Sequence, residues 1–116
     1  MVDARAKELR ARVTSVQTNH EGAIVDLIGD AKDEGYAGIL LNAGGYTHTS
    51  IAILDAILAA GVPTVEVHLS NPEARDEFRH RSVIAKGCLG KVTGFGAMSY
   101  VHALEALVAH VRTPKR

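Results

Sequence analysis

Two apolar runs, Ile39-Leu40-Leu41 and Val62 to Val67, each break off into a dense polar cluster, and no other feature of the chain constrains its fold as tightly. The second run ends in Glu66-Val67-His68-Leu69-Ser70-Asn71. The first ends in Asn42-Ala43-Gly44-Gly45-Tyr46-Thr47-His48-Thr49-Ser50. Strands apolar on both faces belong in the middle of a sheet covered by helices, where ionisable groups are tolerated mainly at the end that opens into a cleft. Strand alternation turns Glu66 and His68 to one face, and a carboxylate beside an imidazole is a candidate acid/base pair. In that role Glu66 orients His68 and favours its protonated form, so that the imidazolium gives a proton to a departing oxygen. Two polar strand ends point to one shared cleft.

The segments around these runs alternate helix and strand. Val2, Ala6, Leu9 and Val13 recur at helical spacing, which predicts a helix over residues 2 to 12 running into a weakly marked strand, Val13 to Gln17. Ile24, Leu27, Ile28 and Ala31 form a second helical stripe, stopped by Gly35 before a strand from Ala37 to Leu41. Thr49 or Ser50 caps a third helix, Gly61 and Pro63 end it, and Thr64 to Leu69 form the next strand. A short helix around Pro72 to Arg79, a last strand from Leu89 to Phe95 and a closing helix carrying Tyr100, Leu104, Leu107, Val108 and Val111 complete the pattern. The fold class is therefore α/β, with a parallel sheet, helices on each side and ligands bound beyond the carboxyl ends of the strands. An ordinary domain of this kind begins with a strand, whereas this chain begins with a helix.

At 116 residues the chain forms a single domain over 1–116. Thirteen basic and thirteen acidic residues cancel, so the broad positive field that drives nucleic-acid binding is absent. The one basic concentration, Arg75 to Arg81, is interrupted by Asp76, Glu77 and Phe78 and reads as a solvated helix end. Lys115 and Arg116 read as a frayed tail. A lone cysteine, Cys88, excludes an internal disulfide and fits a reducing compartment. No apolar run reaches membrane-spanning length and the charged N-terminus is not signal-like, so the expected location is cytoplasmic with no membrane partner.

Other chemistries fail on their spacing. Gly87-Cys88-Leu89-Gly90-Lys91 lacks the first glycine and the final hydroxyl of a phosphate loop. Gly94-Phe95-Gly96-Ala97-Met98-Ser99 has Ser99 in place of the third glycine of a dinucleotide fingerprint, and no later strand supplies the ribose acid. His48 and His68 lack the close spacing of zinc ligands. Gly44 and Gly45 suit a tight turn, but a turn leaves Asn42 and His48 unexplained, and both are candidates to hold substrate hydroxyls. His20 follows another expected strand, where capping by Asn19 is the simpler account.

Taken together, Asn19-His20-Glu21-Gly22, the Asn42 to Ser50 cluster, Glu66 to Asn71 and Glu77-Phe78-Arg79-His80 resemble type II 3-dehydroquinate dehydratase in order and spacing over nearly the whole chain. Gly90-Lys-Val-Thr-Gly-Phe-Gly96 followed by Tyr100 fits the same family. The resemblance implies a flavodoxin-like three-layer sandwich and the trans-elimination of water from 3-dehydroquinate, giving 3-dehydroshikimate in the shikimate or quinate pathway, with no metal or organic cofactor. It implies that His68 donates the proton to the leaving hydroxyl and that Glu66 orients it. Asn42, His48 and Arg79 would hold substrate hydroxyls, and Leu69 and Ser70 would receive the carboxylate. Asp55 would face a neighbouring subunit's site, implying a homo-oligomer of trimers, four to a dodecamer. Ala43 replaces a common proline of the family, and Leu54 an arginine often found before that aspartate.

One departure bears on activity. Family members open with a strand, an asparagine-rich turn and a mobile loop bearing an essential arginine and the tyrosine that acts as base, and none of these occurs here. The flavodoxin-like order places that strand between Val13 to Gln17 and Ala37 to Leu41, leaving those two about 9.6 Å apart, twice the normal spacing. Either they close up, another chain fills the gap, or the real protein has residues that this sequence omits. The expectation is a very weak dehydratase or none, and the rival reading is a non-catalytic relative that binds a cyclic polyol acid or serves only in assembly.

Overall fold

The computed structural model describes residues 1–114. The expected tail at Lys115 and Arg116 lies outside the described residues. Among the described residues four α-helices and three strands follow one another as α1 (Val2–Glu8), α2 (Glu21–Asp33), β1 (Ile39–Leu41), α3 (Ile51–Ala60), β2 (Thr64–His68), β3 (Gly90–Thr93) and α4 (Met98–Arg112). The strands form one parallel sheet in the order β1-β2-β3. Leu41 registers with Glu66, and Glu66 with Lys91.

Alternation along the strands sends two apolar sets to opposite faces. Leu40, Val65, Val67 and Val92 pack against Ala103, Leu107 and Tyr100 of α4. On the other face Ile39 and Leu41 meet Ile24 and Ile28 of α2, Ile53 and Ile57 of α3, and Ile84. The result is the three-layer α/β arrangement that the pattern of the sequence predicts. α4 approaches the chain ahead of β1 so closely that a Cβ on Gly38 would lie 2.6 Å from Leu107 Cδ2.

Helix ends follow their local chemistry. Ser50, one of the two hydroxyls proposed as a cap, accepts a hydrogen bond from the Ile53 N–H at 3.0 Å, and Gly61 ends α3 at φ 67°, a left-handed conformation that favours glycine. At α2 the expectation is corrected. His20 holds the cap position without a side-chain bond, while Asn19 instead lends its backbone carbonyl to the Tyr46 hydroxyl at 3.1 Å.

The paired strands are shorter than expected, and three other elements differ. The first helix stops at Glu8, and Arg10 turns to φ 56°. Val13 to Gln17 has no regular secondary structure and no ladder bonds among the described residues, and Val16 is 63% exposed. A strand exists through its neighbour, and the weak apolar pattern here has none to pair with. The outer edge of β1 likewise has no ladder partner among the described residues. The expected helix around Pro72 to Arg79 is two short 3-10 turns, Pro72–Ala74 and Glu77–His80, because Asn71 Oδ1 accepts from the Glu73 N–H and closes the first turn locally.

Candidate active site

β2 ends at His68, and the strand turns Glu66 and His68 to the same face, where His68 Nε2 lies 2.5 Å from Glu66 Oε2. Glu66 is fully buried and His68 is 9% exposed. The second carboxylate oxygen, Oε1, accepts from the Ser82 hydroxyl at 2.8 Å. Burial alone would push the Glu66 carboxyl up. The hydrogen bonds from His68 and Ser82 and the nearby charges of His68 and Lys91 outweigh it and hold this group below its ordinary 4.5. Glu66 is thus kept as a carboxylate, and its bond to Nε2 orients the ring and leaves Nδ1 as the nitrogen not committed to it.

The polar cluster after β1 meets this pair from the neighbouring strand. Asn42 Oδ1 accepts from the Gly44 N–H at 3.1 Å, and Gly44 takes φ 58°, so the chain enters a 3-10 turn, Gly44–His48. Gly45 needs no such angle, so only one of the two glycines is used for conformational freedom. The bond leaves the Asn42 amide NH₂ free to donate. At the end of the turn His48 Nδ1 donates to the Arg81 carbonyl at 2.8 Å, which makes Nε2 its open nitrogen. The rings of His48 and His68 are nearly parallel, 18° apart, with centroids separated by 6.5 Å.

A cavity of about 440 Å³ joins these groups. Asn42, His48, His68, Leu69, Ser70 and Arg79 all line it. Glu66 lies beneath His68 rather than on the wall. Asp55 stands apart, exposed on α3. Sequence reasoning missed three contributors. Arg75, read as part of a solvated helix end, lines the cavity. Phe78 meets the His48 ring edge-on at 6.1 Å and carries the Arg79 guanidinium 4.7 Å above its own ring. Ser82 gives Glu66 its second bond. The interruption of the basic run by Phe78 was a visible signal for the first two, since an aromatic among charges is out of place on a purely solvated face. Among the described residues no group of three or more histidine, cysteine or acidic side chains is placed to hold a metal ion.

A parallel α/β sheet whose strand ends hold a buried carboxylate–imidazole pair under a polar cleft defines an α/β enzyme site suited to acid/base work on a small polar molecule. Comparison with known proteins identifies the family. The sequence model described as Dehydroquinase class II matches residues 1–108, and the chain belongs to that family. A 3-dehydroquinate dehydratase of Nostoc sp. is 52% identical over 107 residues, covering 92% of this chain and 72% of the relative. One from Exiguobacterium sp. is 55% identical over 100 residues, covering 86% and 68%. The crystal structure of type II dehydroquinase from Butyrivibrio crossotus superposes with a TM-score of 0.89 at 41% identity, covering 91% of this chain and 74% of that one.

Proposed function

We propose that the cleft binds 3-dehydroquinate and eliminates water from it, giving 3-dehydroshikimate, and that the chain serves the shikimate or quinate pathway. The observation that carries the reading is the buried Glu66–His68 pair opening into a cavity shared with Asn42, His48, Ser70 and Arg79. In the elimination a carbon beside the ketone loses a proton and the C–O bond to the leaving hydroxyl breaks. His68 supplies the proton that turns the departing hydroxyl into water, and Glu66 holds the ring in place while it does so. Asn42 and Arg79 hold substrate hydroxyls through their free donors and His48 through its open Nε2, which accepts, and Leu69 and Ser70 receive the substrate carboxylate. No cofactor enters this scheme.

Removal of the carbon-bound proton needs a base, and no tyrosine or carboxylate lines the cavity among the described residues. Loss of one positioned acid or base typically costs about two to four orders of magnitude in rate. The 116-residue chain is therefore expected to turn over slowly. The same observation favours a second reading, a non-catalytic relative that binds a cyclic polyol acid. Formation of the conjugated enone from 3-dehydroquinate, followed by ultraviolet absorbance, separates the two. Turnover supports the dehydratase, whereas a ligand-dependent rise in melting temperature without turnover supports the binder, and neither signal at ligand well above a millimolar dissociation constant ends both.

We also infer self-association. α3 leaves Ile51 and Leu58 at 65% and 58% exposure with Asp55 between them, an apolar stripe interrupted by one carboxylate. A homo-oligomer of trimers, four to a dodecamer, covers that stripe and carries Asp55 to the neighbouring subunit's cleft. Native mass of the purified chain, and of a Leu58→Lys variant, tests this. A monomer at micromolar concentration refutes it. A single cysteine and neutral overall charge suit the cytoplasm, and among the described residues no helix is long and apolar enough to cross a membrane.

A further inference from the structure

We propose that Ser82 is a positioning residue for the acid/base pair, part of a strap, Arg81–Val83, that sets both imidazoles of the cleft. The inference rests on the dehydratase reading for its catalytic consequence, but its geometry is independent of it. Ser82 lies sixteen residues beyond Glu66 in sequence and reaches Oε1 at 2.8 Å. Its oxygen simultaneously accepts from the Ala85 N–H at 3.1 Å. A carboxylate has no proton to give, so the hydroxyl proton must point to Glu66, and the Ala85 bond holds the oxygen in the place from which it can do so.

The same strap reaches the other histidine through its backbone. The Arg81 carbonyl takes the His48 Nδ1 proton at 2.8 Å, and the Val83 N–H bonds the Thr47 carbonyl at 2.8 Å, next to His48 in the chain. One short segment thus determines which nitrogen of His48 is free and completes the shell of the carboxylate that orients His68. Glu66 faces His68 on its own strand, Lys91 on β3 and the Cys88 thiol after the 3-10 turn Ile84–Gly87. Among the described residues only His68 and Ser82 hydrogen-bond the Glu66 side chain, so a fully buried carboxylate deprived of Ser82 keeps a single hydrogen bond, to His68.

The direct test follows the Glu66 side-chain carboxyl by ¹³C NMR through an acid titration of the whole chain. The expected wild-type titration lies below 4.5. Ser82→Ala, which removes the donor, and Ser82→Cys, close in size but a weak donor, move the titration upward, and Ser82→Thr restores it. Should the alanine variant fail to fold, the cysteine variant decides. Turnover of 3-dehydroquinate supplies the second readout: kcat falls about 10- to 100-fold in Ser82→Ala, the range of a hydrogen bond to a charged group, while KM changes little and threonine rescues. An unchanged Glu66 titration in the alanine and cysteine variants overturns the proposal. Absence of turnover in every chain sinks the dehydratase reading instead and leaves the titration to decide the role of Ser82.

Discussion

His48 and His68 come from different strand ends yet lie face to face, their ring planes 18° apart across a 6.5 Å gap, and each has one nitrogen committed to a fixed acceptor. His48 is tied to a backbone carbonyl and His68 to a carboxylate, so the two rings differ in what they are built to do. The carbonyl fixes which nitrogen of His48 faces the cleft, whereas the carboxylate orients the ring of His68.

This difference predicts a split between two variants. His68→Ala should lower whatever kcat the chain shows with 3-dehydroquinate by about two to four orders of magnitude. His48→Ala should act mainly on KM, because it removes one binding group and not the proton donor. Steady-state kinetics of both variants check this, and equal effects on kcat would remove the division of roles.

Acid stability should report the Glu66 environment. Its folded-state pKa lies below 4.5, so the unfolded chain takes up this proton first as pH falls. The stabilisation from this group is complete above 4.5 and is lost progressively as pH drops through the folded value. Melting temperature should therefore decline below 4.5, and decline less steeply in Glu66→Gln. Parallel curves for the two proteins would show that other carboxylates control acid unfolding.

Cys88 should be a sluggish nucleophile. Burial, with the Glu66 charge adding to it, pushes the thiol from 9.0 up to about 11. A gap of that size cuts the thiolate fraction at pH 8 by roughly 100-fold, and alkylation by iodoacetamide should slow in proportion. Rate constants measured on native and urea-unfolded protein give the comparison, and a native rate equal to the unfolded one contradicts it.

Gly38→Ala should destabilise the fold by about 1–3 kcal/mol through overpacking. The new Cβ would meet three atoms of the buried Leu107 side chain at 2.6 to 2.8 Å, and Leu107 is held between α4 and the sheet. Chemical denaturation measures the loss. Combining it with Leu107→Ala should give less than the sum of the two single losses, because the second change removes the clash.

The three-layer arrangement, the three paired strands and the candidate groups Asn42, His48, Glu66 and His68 were legible in the chain, whereas Ser70 and Arg79 were singled out only through the family resemblance. The former follow from an apolar run, a period of two or a polar break, signals that are local and survive without a partner. Val13 to Gln17 shows the limit of such signals, since extended sequence becomes a strand only when another strand supplies its hydrogen bonds. Ser82 lies beyond that limit too. Nothing about a serine after Arg81 marks it as a donor to a carboxylate sixteen residues earlier, and only folding, which closes the strap over β2, brings the two within 2.8 Å. Periodicity and composition along the chain sufficed for the layers and the reactive types. The nitrogen each imidazole leaves open, and the neighbours that keep Glu66 charged, depend on contacts between distant segments and so emerged with the packed structure.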